Sequence, residues 1–159
     1  MTPVDLEHLR RCVALAEEAL DAGDLPFGSV LVDAAGAVRA EDRNRELTTG
    51  DATRHPELDL ARWAALNLTP AERAGATVYT SGEHCPMCSA AHAWVGLGRI
   101  VYAVASATYA GWLAEWGSGP SPVTGYAAAE VAPEVVVEGP APELEDAMRA
   151  LHRRAYDAR

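Results

Sequence analysis

Strands and helices alternate through the middle of the sequence, and this alternation constrains the fold more than any other feature. Short apolar runs at 28–32, 77–80 and 100–104 predict strands, because turn-forming residues bound them. Helices are predicted between them at about 55–68 and 86–97, each with a proline in its first turn. Helices that alternate with strands cover both faces of a sheet. The sequence therefore predicts a three-layer α/β/α sandwich with a central five-stranded mixed sheet.

Further elements flank this central part. Apolar positions recur at helical spacing from 3 to 22, and Gly23 then ends the helix. A turn at 34–36 joins the first strand to a second strand near Val38, which predicts a hairpin. The other predictions are a loop at 44–54, a short helix and loop at 109–126, a last strand at 134–138 and a closing helix at 143–156.

The length and composition indicate one globular domain, residues 1–159. Hydrophobic residues make up 49% of the chain and charged residues 23%, which is typical of a globular protein. No apolar run approaches the roughly 20 residues that span a bilayer. The first twenty residues carry acids and arginines instead of the apolar core of a signal peptide. We therefore expect a cytoplasmic protein that does not enter a membrane.

The net charge bears on the class of partner. It is −10, with a pI of about 4.8. A nucleic-acid binder displaces counterions from phosphates with a basic surface, and an acidic chain repels polyanions. The one basic cluster, Arg149, Arg153 and Arg154, is mixed with acids. The charge therefore argues against an RNA or DNA substrate.

The chain has three cysteines, an odd number that argues against a disulfide framework in a chain without a secretory signal. Cys12 lies among apolar residues and is interpreted as a small buried side chain. Cys85 and Cys88 form a C-x-x-C pair, which is found in redox sites and in zinc sites.

Two short fragments carry the chemistry, His55-Pro56-Glu57 and Cys85-Pro86-Met87-Cys88, each at the start of a predicted helix. One imidazole and two thiolates supply three zinc ligands and leave the fourth position open, as in catalytic zinc sites. Zinc would lower the pKa of a bound water to about 7. Glu57 would transfer protons from that water to the substrate and its departing amine. H-x-E followed by C-x-x-C is a zinc deaminase signature.

With these motifs, the chain resembles the cytidine deaminase superfamily over nearly its whole length, especially bacterial guanine deaminases and tRNA adenosine deaminases. The resemblance includes Leu25-Pro26-Phe27-Gly28, Asn44 and the strand that leads into Cys85. Pro56 stands where the family usually has alanine, and His84 where it usually has proline. The segment 105–119 matches poorly, which leaves substrate recognition open.

The resemblance implies a substrate pocket that includes Phe27, Asn44 and Trp94. Each has a plainer explanation: a core side chain for Phe27, a turn for Asn44 and a buried helix residue for Trp94. His84 and His92 are alternative metal ligands, although His84 is expected to point away from the metal.

Glu115 is a candidate second carboxylate. Guanine deaminases use a second acid after the fourth strand to bind the purine edge and relay a proton, and Glu115 lies at nearly that spacing from Glu57. Trp112 and Trp116 flank it and would line the same pocket. The alternative is a solvated acid on an amphipathic helix.

The leading hypothesis is a zinc-dependent deaminase of a free amino-substituted heterocycle, such as guanine or the s-triazine ammeline. Alternatives are a cytidine or other nucleoside deaminase, a tRNA wobble adenosine deaminase, and a non-catalytic binding protein with a structural zinc. The resemblance also implies a homodimer or larger assembly, and the final segment, with Tyr156, is a candidate cap for a pocket of its own chain or of a neighbouring subunit.

Overall fold

A computed structural model describes residues 1–158 of the chain. In chain order the elements are α1 (Pro3–Asp21), β1 (Gly28–Val32), β2 (Val38–Arg43), α2 (Glu46–Thr49), α3 (Pro56–Asn67), α4 (Pro70–Gly75), β3 (Thr77–Gly82), α5 (Pro86–Trp94), β4 (Arg99–Val104), α6 (Ser106–Glu115), α7 (Ala128–Val131), β5 (Val137–Glu138) and α8 (Pro142–Asp157).

The five strands form one mixed sheet in the order β2-β1-β3-β4-β5. Strand β1 is antiparallel to both of its neighbours, whereas β3, β4 and β5 are parallel to one another. The predicted hairpin is present as β1 and β2. In the pairing of β1 with β3, Ser29 lies opposite Thr80. The predicted five-stranded mixed sheet is therefore confirmed.

Helices cover both faces of the sheet and enclose two apolar clusters. Leu9 of α1, Trp112 of α6 and Met148 of α8 belong to the cluster on one face. Leu60 and Ala64 of α3 belong to the cluster on the other face. This arrangement is the predicted three-layer α/β/α sandwich.

Helix α1 lies unusually close to β1. A Cβ atom on Gly28 would lie 2.4 Å from the Cβ atom of Leu15 and 2.6 Å from the Cys12 carbonyl oxygen. Both distances are shorter than any ordinary contact, so only glycine fits at position 28 without movement of the helix. Cys12 is fully buried in this contact, as its apolar neighbours predict.

Several predicted boundaries differ from the structure, and a local turn explains two of them. Helix α5 ends at Trp94 rather than 97, because Gly96 adopts a left-handed φ of 72° and the Leu97 N–H bonds back to the His92 carbonyl. The last strand contains only Val137–Glu138, because the Val135 N–H closes a turn onto the Ala132 carbonyl. Both errors arise at element ends, where one turn decides the boundary.

Three short helices were not predicted: α2, α4 and α7. Helix α2 interrupts the predicted loop at 44–54, while α4 begins at a capping box formed by Thr69 and Glu72. Each of the three has only four to six residues, too few for helical periodicity to show in the sequence. Within residues 1–158, no helix has the length and apolar character that a membrane crossing requires.

Candidate active site

Helices α3 and α5 begin at the same end of the sheet. His55 is the residue before the first turn of α3, and Cys85 is the residue before the first turn of α5. Both have extended backbone angles, and each is followed by a proline that favours helix initiation. These two junctions bring the imidazole and the C-x-x-C pair together.

His55, Cys85 and Cys88 form a group with the dimensions of a zinc site. His55 Nδ1 lies 3.6 Å from the Sγ atom of each cysteine, and the three ligand atoms lie within 4.8 Å of one another. Tetrahedral zinc with bonds of about 2.3 Å to sulfur and about 2.1 Å to nitrogen separates these atoms by about 3.6 Å. The group therefore fits zinc in both donor type and spacing.

The pKa values of Cys85 and His55 are both strongly shifted by their contacts. The Cys88 S–H lowers the pKa of the Cys85 thiol to about 4, helped by His55, although burial opposes the shift. Burial disfavours a charged His55 imidazole, but hydrogen bonds to Cys85 and Glu46 raise its pKa to about 10. Cys85 is thus a thiolate at neutral pH, the form in which cysteine binds metal.

Glu57 lies beside this group with its side chain buried. Its Oε1 atom accepts hydrogen bonds from the hydroxyls of Thr80, at 2.8 Å, and Ser29, at 3.3 Å. Its Oε2 atom lies 3.7 Å from Cys88 Sγ. Burial raises the pKa of this carboxyl, while His55 and the Thr80 hydroxyl oppose the rise. Glu57 can therefore exchange a proton next to the metal-binding group.

Sequence reasoning missed Ser29 and Thr80. Both are polar side chains in otherwise apolar, buried strands, and they face each other in the sheet with their hydroxyl oxygens 2.9 Å apart. A buried polar residue within an apolar strand is the sequence signal that could have identified them.

Asn44 is fully buried at the entrance to α2. Its Oδ1 atom accepts the Glu46 N–H at 3.0 Å, and its Nδ2 atom donates to the Glu46 carboxylate at 2.6 Å. The first bond is the side-chain turn that was the plainer interpretation of this residue.

Phe27 immediately precedes β1 and lies beside Gly82, the last residue of β3. The Phe27 ring is 2.9 Å from the position that a Cβ atom on Gly82 would occupy. It also packs edge-on against Tyr109, with ring centroids 5.5 Å apart, and against His152, at 4.9 Å. The three aromatic side chains form a wall beside the segment that leads to Cys85; we call it the aromatic wall.

Trp94 is 88% exposed. A helix turns roughly 100° per residue, so a residue six positions after the buried Cys88 points to a different side of α5. Trp94 therefore lies on the surface of its own chain, and not in the pocket that its spacing from Cys88 suggested.

Glu115 also lies apart from Glu57. Its carboxylate pairs with Arg149 of α8 at 2.8 Å, and its side chain is 59% exposed. This arrangement corresponds to the alternative of an acid on the outer face of an amphipathic helix.

The two tryptophans that flank Glu115 pack within the chain. Trp112 is buried in the cluster between α1, α6 and α8. Trp116 packs at a tilt against Tyr156, whose hydroxyl donates to the Trp116 carbonyl oxygen. Trp112 also packs against His152, so both tryptophan rings contact side chains of α8, and Tyr156 packs onto its own chain.

His84 and His92 pack edge-on against each other, with ring centroids 5.3 Å apart. Both are buried, and neither belongs to the ligand group found in residues 1–158. Burial lowers the pKa of both, so their rings are neutral. His84 points away from the metal-binding group, as expected.

Glu83 was not singled out in the sequence, but it anchors two helices. Its carboxylate accepts the N–H of Ser106, in the first turn of α6, at 2.9 Å and that of Ala128, at the start of α7, at 2.9 Å. The segment that carries Cys85 is thereby tied to the helices on its far side.

Comparison with known proteins agrees with this geometry. Residues 3–104 match the model of the cytidine and deoxycytidylate deaminase zinc-binding region. The chain belongs to this family. Its members are zinc-dependent hydrolytic deaminases that act on cyclic amidines, and zinc is the cofactor that the family and the His-Cys-Cys group indicate.

Two curated relatives illustrate the range of this family. The chain is 40% identical to a guanine deaminase of Bacillus subtilis over 96 residues, 60% of this chain and 61% of the relative. It is 33% identical to a probable cytosine deaminase of Schizosaccharomyces pombe over 102 residues, 64% of this chain and 61% of the relative. Each match spans about three fifths of the relative.

A solved structure supports the fold over almost the whole chain. The guanine deaminase of Nitrosomonas europaea aligns with a TM-score of 0.73 over 98% of this chain and 85% of that protein, at 21% identity. At this identity the likeness shows the fold alone, which is the predicted cytidine deaminase-like fold.

Proposed function

We propose that this protein is a zinc-dependent deaminase that hydrolyses the amino group from a free nucleobase or related heterocycle, such as guanine or ammeline. The observation that carries the proposal is the buried Glu57 carboxylate beside the metal-binding group. A structural zinc site gains nothing from such a carboxylate, whereas hydrolytic deamination needs a proton acceptor and donor there.

In this proposal, His55, Cys85 and Cys88 hold the zinc ion. When bound, zinc supplies Lewis-acid activation of water near neutral pH. Glu57 takes one proton from the attacking water at Oε2 and gives it to a ring nitrogen as the C–O bond forms. It then takes the second water proton from the new hydroxyl and gives it to the amine, so that the C–N bond breaks and ammonia leaves. Thr80 and Ser29 hold the other oxygen, Oε1, so the carboxylate keeps one orientation while Oε2 faces the reaction.

The choice of a free base rests on three observations. The relative with 40% identity is a guanine deaminase. The net charge of −10 disfavours an RNA substrate. The Phe27 ring of the aromatic wall is partly exposed and lies beside Gly82, and an aromatic ring is a surface on which a heterocycle can stack. Trp94 and Glu115 give no support within one chain, because both lie on its surface.

An ammonia-release screen tests the proposal. The zinc-loaded protein is incubated with guanine, ammeline, cytosine, adenine, their nucleosides and an anticodon stem-loop, with Glu57→Gln as the inactive control. We expect ammonia from guanine or ammeline and from neither nucleosides nor RNA. Release only from nucleosides or the stem-loop would contradict the free-base proposal, and no release from any compound would contradict a deaminase.

We also propose that the protein forms a homodimer. Trp94 on α5 is 88% exposed and Leu66 on the neighbouring helix α3 is 87% exposed. Exposed large apolar side chains on adjacent helices are typical of a surface that a second copy covers. Sedimentation should show a dimer at tens of micromolar that Trp94→Glu converts to a monomer. A wild-type monomer under these conditions would contradict the proposal.

A further inference from the structure

Glu46 is a second carboxylate at the metal-binding group, contributed by the one-turn helix α2. Its Oε1 atom lies 3.3 Å from Nε2 of His55. Its side chain is 17% exposed, so most of it is shielded from water. Glu115, the acid that the sequence suggested for a second carboxylate, is 59% exposed and paired with Arg149.

The His55 ring presents its two nitrogens to different partners. Nδ1 faces the sulfur atoms of Cys85 and Cys88 at 3.6 Å, while Nε2 faces Glu46. A histidine that binds metal through one nitrogen usually donates its other N–H to a carboxylate, carbonyl or water. Such a bond fixes which nitrogen carries the proton and how the ring is turned.

Asn44 binds Glu46 through two hydrogen bonds. Its Oδ1 atom accepts the Glu46 backbone N–H, and its Nδ2 atom donates to the Glu46 carboxylate at 2.6 Å. These two bonds fix both the backbone and the side chain of Glu46. The deeply buried Asn44 thus acts on the metal-binding group through Glu46.

Asp24 holds the rest of the α2 turn. Its buried carboxylate accepts the N–H groups of Leu47, at 3.0 Å, and Thr48, at 2.9 Å, together with the Thr48 hydroxyl at 2.8 Å. The Arg45 N–H closes the other end of the loop onto the Arg54 carbonyl, next to His55. The loop is therefore built to keep Glu46 against the imidazole.

We propose that Glu46 is a positioning residue for zinc binding: its carboxylate accepts the Nε2–H of His55 and so turns Nδ1 toward the metal. The inference rests on the ligand set of the proposed function. It adds a residue that sequence reasoning assigned to a loop, and it gives Asn44 a role other than substrate contact.

Zinc affinity, measured by competition with a chromogenic chelator, tests the inference without measuring activity. Glu46→Leu removes the acceptor at similar bulk, and we expect zinc to bind about 10- to 100-fold more weakly. Glu46→Gln keeps an acceptor oxygen, so we expect a loss of less than about 10-fold. Glu7→Gln, at an exposed acid of α1, makes the same charge change and should leave the affinity unchanged.

Two further measurements separate positioning from general damage. The melting temperature of the metal-free Glu46→Gln protein should equal that of the metal-free Glu7→Gln protein. The absorption spectrum of the Co²⁺-loaded Glu46→Leu protein should shift, because the imidazole is no longer held in one orientation. If Glu46→Leu does not fold, Glu46→Gln alone must still bind zinc more weakly than Glu7→Gln.

The outcomes distinguish this inference from the proposed function. Equal zinc affinity in the wild type and both Glu46 variants would overturn the inference. A raised KM with unchanged zinc affinity would also overturn it, since Glu46 would then contact substrate. If His55→Ala binds zinc as tightly as the wild type, the ligand set of the proposed function fails instead.

Discussion

The Thr80 hydroxyl donates a 2.8 Å hydrogen bond to Oε1 of the Glu57 carboxylate, from a strand to the first turn of a helix. Ser29 on the adjacent strand contacts both groups, at 2.9 Å from the Thr80 hydroxyl and 3.3 Å from Glu57. A buried carboxylate with one oxygen held by two hydroxyls cannot rotate freely. The orientation of Glu57 is thus set by the central sheet.

Replacing Thr80 tests this orientation. Thr80→Val keeps the shape of the side chain and removes its hydroxyl, so we expect kcat to fall by about 10-fold while the zinc content stays unchanged. Thr80→Ser keeps the hydroxyl and should retain most of the wild-type kcat. Steady-state kinetics on the substrate found in the ammonia screen measures both, and an unchanged kcat in Thr80→Val would refute the prediction.

Glu57→Gln should separate catalysis from metal binding. The amide cannot accept and return a proton, so kcat should fall by about 10²- to 10⁴-fold. Zinc content should remain that of the wild type, because the proposed ligands are untouched. Glu7→Gln on α1 serves as the surface control. Activity within twofold of the wild type in Glu57→Gln would show that another group transfers the proton.

Zinc removal should lower the stability of the fold. A ligand that binds only the folded state adds about 2.7 kcal/mol of stability when present at 100 times its Kd. Treatment with a strong chelator should therefore lower the melting temperature, and added zinc should restore it. Cys88→Ser should lose the zinc response, whereas Cys12→Ala should keep it, because Cys12 lies in the core away from the group. A melting temperature that is insensitive to zinc would contradict the proposed site.

Asp5 should make the stability depend on pH under acid conditions. Burial alone would raise the pKa of this carboxyl, but Arg99, the Thr2 N–H and the Tyr79 hydroxyl together hold it well below its usual range. A carboxyl with a lower pKa in the folded state contributes stability above about pH 4, and this contribution is lost as the pH falls further.

The Asp5→Asn variant measures that contribution. We expect a loss of about 2 kcal/mol at pH 7, because hydrogen bonds to charged groups are broken. The difference between variant and wild type should shrink between about pH 4 and pH 2. Denaturant unfolding at several pH values gives both quantities, and a difference that does not change with pH would show that the charge of Asp5 is not responsible.

Gly28→Ala should destabilise the protein. The added methyl group would overlap Leu15 and the backbone of α1, so we expect a loss of about 1–3 kcal/mol. Gly111→Ala is the matched control, because Gly111 lies in α6 with open space around it and alanine favours a helix. Thermal melts should therefore move in opposite directions for the two variants.

Much of the fold and the metal-binding group could be predicted from the sequence, because both depend on local patterns. The spacing within H-x-E and C-x-x-C places each set of side chains on the first turn of one helix. The alternation of strands and helices then brings the two helix starts to the same end of the sheet. The motif spacing and this alternation were therefore enough to predict that His55 and the C-x-x-C pair lie together.

The surroundings of the group depend on contacts that no local pattern encodes. Ser29 and Thr80 meet through strand pairing between residues 51 positions apart. Glu46 reaches His55 because Asp24, far upstream, holds the α2 turn. Trp94 was placed by its spacing in the sequence, which does not say toward which side of α5 the ring points.

The family match ends at residue 104, and this boundary separates two parts of the polypeptide. His55, Glu57 and the C-x-x-C pair lie before it, whereas Tyr109 and His152 of the aromatic wall lie after it. Natural variation or directed evolution could therefore exchange the final third of the chain and change which ring is accepted, while the residues proposed to bind zinc and move protons are inherited intact.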